Sequence, residues 1–353
     1  MGLKTEFRKI IGQAKSNKKE GESVSIRDTI REILGEFLGD RRSGRKPEIW
    51  SLGRDECLTR LHFGALLCFS GDNIDVVPGA FREGWIEPSN NLLLQDILKP
   101  GDSCVNIGAN FGYFTLLAAH LVGGEGEVLS VEANPYIFHY LVKGIYYSGY
   151  PNIVRPFNVA IAEEAGKEYE FYFNPHFSGG GSLAGPSLSN GDNQHIVDSV
   201  DEALFRNPKH YRGEGGALDF AKAPFVKFDC RSTTIDWLWE HHPTKKEVKL
   251  LHMDIEGAES LAIRGAQKFL SENKNIHIIM EFDPSRFAIP EMRKSIEAMY
   301  EIFMRERFQI FQIVGADRDH YSKRPTLKPI SSLAEMEKLP HGDLYLSRSG
   351  SLY

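Results

Sequence analysis

Cysteine is scarce in this sequence: four in 353 residues, at Cys57, Cys68, Cys104 and Cys230, with no two in C-x-x-C spacing. That excludes a zinc ribbon or a thioredoxin-type motif, and no metal is expected. Cys104 and Cys230 fall in apolar runs, where free cysteine behaves as a small hydrophobe, which suits a reducing compartment. No stretch reaches 18 uncharged apolar residues, so no transmembrane helix is expected. The opening M-G-L-K-T-E-F-R-K lacks the continuous apolar region of a signal peptide, and Glu6 stands where a myristoylation signal has Ser or Thr. The reading is a cytoplasmic protein. Positive charge is also in deficit: 42 Lys and Arg against 48 Asp and Glu give a net charge of −6. This disfavours a generic nucleic-acid binder and accommodates a small or neutral substrate. Finally, G-x-x-x-x-G-K-[ST] is absent, so there is no Walker lysine.

What is present is ordinary for a globular chain, with 41% hydrophobic and 25% charged residues, and the length suits one large α/β domain with additions. Residues 1–22 are basic and polar without a sustained period, and read as a solvated arm. From Ser25 the positions Ile26, Ile30, Ile33, Leu34, Phe37 and Leu38 have helical spacing. Leu61–Phe69 and Ile74–Val77 read as a hairpin or two short strands around the turn S-G-D-N, and then a helix is expected over Ser89–Leu98.

The rest of the chain is organised around Asp102 to Thr115, D-S-C-V-N-I-G-A-N-F-G-Y-F-T. A short apolar strand, a glycine turn at Gly108 and Gly112, and an apolar helix follow one another. Glycines there permit close approach of backbone to a ligand, and the amides of the helix N-terminus favour an anionic group. Asn110 occupies the place where a dinucleotide fingerprint has its second glycine, against the pyrophosphate. A second strand, Val128 to Glu132, ends in a carboxylate 24 positions after Gly108, suited to both ribose hydroxyls. One ribose and no diphosphate describe S-adenosylmethionine better than NAD.

Downstream, strands are expected at Ile153–Ile161, Glu168–Phe173, Phe225–Phe228, Val248–Ile255, Ile276–Phe282, Ile310–Val314 and Asp343–Leu346. Helices are expected from Pro135 to Tyr147, Thr234 to His241, Glu256 to Leu270 and Ile289 to Phe308. This alternation predicts a doubly wound α/β sheet. Ser178 to Ala223, rich in glycine and polar residues, reads as a lid over the carboxyl ends of the strands.

With G-A-N-F-G-Y at 108–113, V-E-A-N-P at 131–135, T-T-I-D-W-L at 233–238, D-I-E-G-A-E at 254–259 and I-M-E-F at 279–282, the chain resembles the FkbM family of S-adenosylmethionine-dependent methyltransferases. The resemblance runs roughly from Trp85 to Leu346, apart from the Gly-rich segment. It implies a Rossmann-like class I methyltransferase with a mostly parallel seven-stranded sheet; the expected organisation is a methyltransferase domain over residues 61–353 interrupted by the lid-like insertion 178–223, with residues 1–60, outside the resemblance, as an N-terminal extension. It also implies S-adenosylmethionine as cofactor. Gly108, Asn110 and Gly112 would form the cofactor loop, Glu132 would hold the ribose, and Asn158 with Val159 would meet adenine. Glu87, in G-x-x-E-P, would approach the cofactor's amino group or the acceptor pocket. The family usually has aspartate where this chain has Asn106, which keeps an acceptor and loses the charge at an expected ammonium contact. Glu87 and Asp254 are available to compensate.

Transfer to oxygen, on a glycan or secondary metabolite, is what the resemblance suggests. A hydroxyl nucleophile needs a base within hydrogen-bond reach, and the candidates are Asp254 first, then Glu281 and His252, with Glu256 toward the acceptor. Each has a structural rival: Glu256 and Glu259 in a first helical turn are favoured by the helix dipole, and His252, on the same strand face as Asp254, can be a core histidine. The rival functions are a degenerate methyltransferase fold used for binding and a nicotinamide-dependent dehydrogenase, the latter disfavoured by Asn110.

Overall fold

The computed structural model describes residues 48–53, 55–73, 85–182, 196–197, 225–242, 244–315 and 324–352. The basic arm, the helix expected from Ser25, the strand expected at 74–77 and most of the expected lid lie outside these residues. The first elements, β1 (Ile49–Gly53), β2 (Glu56–Arg60) and β3 (Leu66–Ser70), form an antiparallel sheet. After α1 (Pro88–Ile97) come β4 (Ser103–Ile107), α2 (Tyr113–Val122), β5 (Glu127–Val131), α3 (Pro135–Tyr147) and β6 (Val154–Phe157). Next are β7 (Ala160–Ile161), β8 (Glu168–Asn174), β9 (Phe177–Ser182), β10 (Ile196–Val197) and β11 (Phe225–Thr233). The chain continues through α4 (Ile235–Glu240), β12 (Val248–Met253), α5 (Glu259–Arg264), α6 (Gln267–Glu272), β13 (His277–Phe282) and a 3-10 turn at Pro284–Ala288. It ends with α7 (Pro290–Arg305), β14 (Gln309–Val314), β15 (Thr326–Ile330), α8 (Leu333–Met336) and β16 (Gly342–Ser347).

The central sheet has the order β15-β14-β16-β13-β12-β4-β5-β6. β6, β5, β4, β12 and β13 are mutually parallel, and β16 runs antiparallel between β13 and β14. This is the Rossmann-like α/β fold expected, with seven strands plus β15 as an eighth on the edge beside β14. Every residue of β4 and of β5 is buried, the polar Ser103, Asn106, Glu127 and Ser130 included, because both faces of the parallel sheet are covered. On one face Cys104, Leu250 and Ile279 pack with α1, α2, α3 and the N-terminal sheet. Val105, Ile107, Leu129, Leu251 and Ile278 point to the other face, against α4 to α7.

Four expectations change. The strand expected over Leu61–Phe69 is only β3, because residues 61–65 form the turn that pairs it with β2. The strand expected over 153–161 divides: β6 closes the central sheet, while β7 pairs with β11. β11 also pairs antiparallel with β8, and β8 with β9, so residues 178–182, expected in the lid, belong to a second sheet. The single helix expected from Glu256 to Leu270 is two helices, starting at Glu259. Glu256 and Gly257 precede it with φ of 54° and 96°, left-handed values that no helix contains. No helix among the described residues is long and apolar enough to cross a membrane.

Candidate active site

The carboxyl ends of β4, β5, β6, β12 and β13 converge on one edge of the sheet, where open α/β sheets place their ligands. At β4 the chain leaves through Gly108 (φ +77°), Asn110 (φ +51°) and Gly112 (φ +99°). The two glycines answer to the protein's own packing. A Cβ on Gly108 would stand 1.7 Å from the Asp254 carbonyl oxygen, and one on Gly112 would stand 2.6 Å from Leu141 Cδ1. The loop is therefore pressed against the end of β12 before any ligand enters.

Glu132, directly after β5, organises this loop. Its Oε2 accepts from the Asn110 N–H at 2.8 Å and its Oε1 from the Asn134 N–H at 2.8 Å. Burial raises its proton affinity to about 7, against the lowering effect of those amides. Beyond β6, the Asn158 amide donates to the carbonyls of Glu132 and Ala133, at 2.8 and 3.1 Å. Val159 beside it packs on the core face of Val105 and Leu129. Gly108, Asn110, Gly112, Glu132, Asn158 and Val159 thus line one side of the edge.

The other side is acidic. Asp254 follows β12 and donates its N–H to the Ile107 carbonyl, which ties the ends of β12 and β4 together. Its Oδ1 is sealed from solvent and has no hydrogen-bond partner among the described residues. Oxygens of Asp254, Glu259 and Glu281 lie within 4.8 Å of one another, a spacing that could hold a cation. Glu259 is held by the N–H groups of Ile255 (2.9 Å) and Gly257 (3.2 Å). Burial, followed by the nearby Glu281 carboxylate, raises its proton affinity to about 7. Asp254 is pushed well above the ordinary carboxylate range, by burial first and then by Glu281, Glu256, Glu87 and Glu259. Glu281 accepts from His341 Nε2 at 2.8 Å, and this partner keeps the imidazole protonated to about 9.

Glu87 enters this group through α1. It sits at φ +44° just before Pro88, and its Oε2 accepts from Asn90 Nδ2 at 2.8 Å. The same Nδ2 reaches Asp343 Oδ2 at 3.0 Å, and burial raises Asp343 to about 6. Sequence reasoning missed Asn90, Asp343 and His341. Asp343 and His341 flank the start of β16, which is remote in sequence and antiparallel to β13, so no local pattern signals them. Glu256 contributes its charge to the field at Asp254, and its carbonyl accepts from Arg286 Nη2 at 3.1 Å.

Two expected site residues lie elsewhere. Asn106, expected at the cofactor's ammonium, has its amide engaged inside the protein: Nδ2 donates to Thr115 Oγ1 at 2.8 Å, and Oδ1 meets His252 Nδ1 at 2.8 Å. Thr115 Oγ1 in turn meets Ser130 Oγ at 2.7 Å. Asn106, Ser130 and His252 are in register on adjacent strands, so the pleat aims all three side chains at α2 and away from the rim. His252 is buried against Phe114, with ring centroids 4.3 Å apart. Burial depresses its proton affinity to about 3, which makes it a core histidine and not a base at neutral pH.

The chemistry of the rim discriminates among ligands. Where ionised, Glu132, Asp254, Glu259, Glu281, Glu87 and Asp343 are acceptors only, so a ligand rich in donors and positive charge fits and a diphosphate is disfavoured. A sulfonium with a free ammonium and two ribose hydroxyls meets that requirement.

The family model for the methyltransferase FkbM domain matches residues 106–307. No curated protein sequence matches the chain. Among solved structures, it is similar to fibrillarin of Aeropyrum pernix in complex with S-adenosyl-L-methionine, at 14% identity over 85% of this chain and 99% of that one, with a TM-score of 0.34. An O-methyltransferase of Bacillus cereus in complex with SAH is 12% identical over 74% of this chain and 82% of that one, with a TM-score of 0.36. A SAM-dependent O-methyltransferase of Thermotoga maritima is 8% identical over 86% of each chain, with a TM-score of 0.35. Structural likeness this distant carries no argument here, whereas the family match spans more than half of the sequence and contains the loop after β4, Glu132 and the Asp254 to Glu259 segment. The chain belongs to the FkbM family of methyltransferases.

Proposed function

We propose that the protein transfers a methyl group from S-adenosylmethionine to the oxygen of an aliphatic hydroxyl on a glycan or other secondary metabolite. The observation that carries this reading is Asp254: a half-buried carboxylate of raised proton affinity, whose sealed Oδ1 has no partner among the described residues, one strand from the Asn110–Glu132 loop. An aliphatic hydroxyl is a poor nucleophile at neutral pH and needs a base within hydrogen-bond reach, and a carboxylate shifted toward neutrality is matched to that task.

When bound, S-adenosylmethionine supplies an electrophilic methyl group on a positively charged sulfur. The chain's own residues do the rest. Glu132 would accept from the ribose hydroxyls and Asn158 with Val159 would border adenine, while Glu87 with the acidic rim favours the ammonium. Asp254 would take the hydroxyl proton, and Glu281, held by His341, would orient the acceptor. In-line displacement needs alignment above all, and a rim fixed by backbone hydrogen bonds supports that. The departure at Asn106 does not weaken the reading, since that amide serves the interior and Glu87 and Asp254 remain at the rim.

Calorimetric titration with S-adenosylhomocysteine tests the cofactor assignment, and an acceptor screen by mass spectrometry tests the transfer. Binding in the micromolar range with mass gain on a hydroxylated acceptor is the expected result. No heat at millimolar ligand would overturn the reading, and binding without turnover over a broad panel would favour a binding module on the same fold.

A further inference from the structure

The loop after β4 is held by more than β5. Asn110 adopts a left-handed conformation, φ +51°, which costs a non-glycine residue free energy unless something fixes it. Its backbone N–H is taken by Glu132, and its side-chain Oδ1 accepts from the Phe111 N–H at 2.8 Å. A third contact comes from far along the chain. Ser178 Oγ, on β9 of the second sheet, donates to Asn110 Oδ1 at 3.2 Å and accepts from Asn73 Nδ2 at 2.9 Å. Asn73 is 2% exposed and Ser178 9% exposed, so the chain is buried at those two residues and becomes partly exposed at Asn110. Buried hydrogen bonds in series polarise one another and depend on each member.

The turn that carries Ser178 is itself docked. The His176 N–H donates to Asn174 Oδ1 at 2.9 Å, and its ring Nδ1 meets the Asp72 carbonyl at 2.9 Å. The β8–β9 turn, the segment after β3 and the loop after β4 are therefore one hydrogen-bonded unit, although Ser178 is 68 residues from Asn110 and 105 from Asn73 in sequence. Two donors on Asn110 Oδ1 dictate which end of the amide faces the protein. The Nδ2 end has no partner among the described residues and is left for a ligand.

We propose that Ser178 is a positioning residue for the cofactor: by fixing the Asn110 side chain it presents the Nδ2 donors to the ligand and makes the β8–β9 turn part of the cofactor site. This rests on the cofactor reading above. It extends that reading to an element the sequence marks only as cover.

The test is a double-mutant cycle read by calorimetric titration of S-adenosylhomocysteine into the full chain. Ser178→Ala is expected to weaken binding about five- to tenfold, the scale of one buried hydrogen bond. Asn73→Ala should weaken it less, and the double variant should match Ser178→Ala within about twofold, because Asn73 acts through Ser178. Ser178→Thr, which keeps the hydroxyl, should restore most of the affinity. In turnover, KM for the cofactor should rise while KM for the acceptor stays, and a merely structural role would not split them. Unchanged affinity in Ser178→Ala, or losses from the two single variants that multiply, would overturn the proposal. Should Ser178→Ala not fold, Asn73→Ala and Ser178→Thr decide it: no loss in the first, or no retention in the second, counts against it. A wild-type protein that binds no S-adenosylhomocysteine overturns the cofactor reading itself, and this proposal with it.

Discussion

Asp254, half-buried, and Glu132, buried, are both carboxylates at strand ends, yet their surroundings give them different work. Asp254 faces four other carboxylates, and Glu132 faces two backbone N–H groups. Asp254→Asn should keep most of the cofactor affinity, since it removes repulsion without removing an acceptor, and should lower kcat by roughly 10²-fold or more. Single-turnover kinetics on the identified acceptor checks this, and normal turnover would move the base to Glu281. Glu132 predicts a pH dependence of binding. Its proton affinity in the ligand-free protein is about 7, and only the ionised form accepts from both ribose hydroxyls. Affinity for S-adenosylhomocysteine should therefore rise roughly tenfold from pH 6 to pH 8 and flatten above. Titrations at the two pH values measure it, and Glu132→Gln should bind weakly with the slope gone. The same shift has a stability sign. Because the folded value lies above the ordinary 4.5, the contribution of Glu132 to stability is full below pH 4.5 and is lost as pH rises through about 7.

Among the elements, the junction of β4 with β12 sets the site. Gly108 combines φ +77° with a Cβ position 1.7 Å from the Asp254 carbonyl oxygen. Gly108→Ala must push the two strand ends apart, and should cost roughly 2 kcal/mol or more of stability. Gly124, whose Cβ would meet nothing within 4 Å, gives the control: Gly124→Ala should change stability by no more than about 0.5 kcal/mol. Denaturant melts of the two variants separate close packing from mere glycine content. The sequence suggests room for a ligand at the glycines, whereas in the structure the space at Gly108 belongs to the end of β12.

The whole molecule is closed by residues near its C-terminal end. β16 inserts antiparallel between β13 and β14, and Arg348 just beyond it donates to the carbonyls of Glu306, Asn273 and Leu270, at 2.7, 2.9 and 2.7 Å. Its guanidinium also lies 4.2 Å from the centroid of the Phe308 ring. These contacts staple α6 and the end of α7 to the last strand. Arg348→Ala strands three partly buried carbonyls and should lower stability by about 2–4 kcal/mol, with Arg348→Lys recovering only part because an ammonium lacks the planar fork. Chemical denaturation should show the loss in the midpoint with the slope unchanged.

At the same scale lies the division between what could be read and what could not. The β4 strand, the Gly108–Gly112 turn, Glu132 and the D-I-E-G-A-E segment were legible because each is a local pattern: an apolar run, a punctuating glycine, a carboxylate at a strand end. Those patterns fixed the fold class and the family. The break between α5 and α6 was not legible. There the Gly265 carbonyl accepts from the Asp236 N–H, and the Asp236 carboxylate caps Lys268 and Phe269 from another helix. Nor were the orientation of Asn106 and His252 into the core, the arrival of Asp343 and His341 beside Glu281, or the reach of Ser178 to Asn110. Each of these depends on groups tens to hundreds of residues apart that meet only when strands pair and sheets dock. Periodicity determines which face of an element is apolar, but only the packed chain decides which polar group stands opposite, and with it the charge and proton affinity of the site.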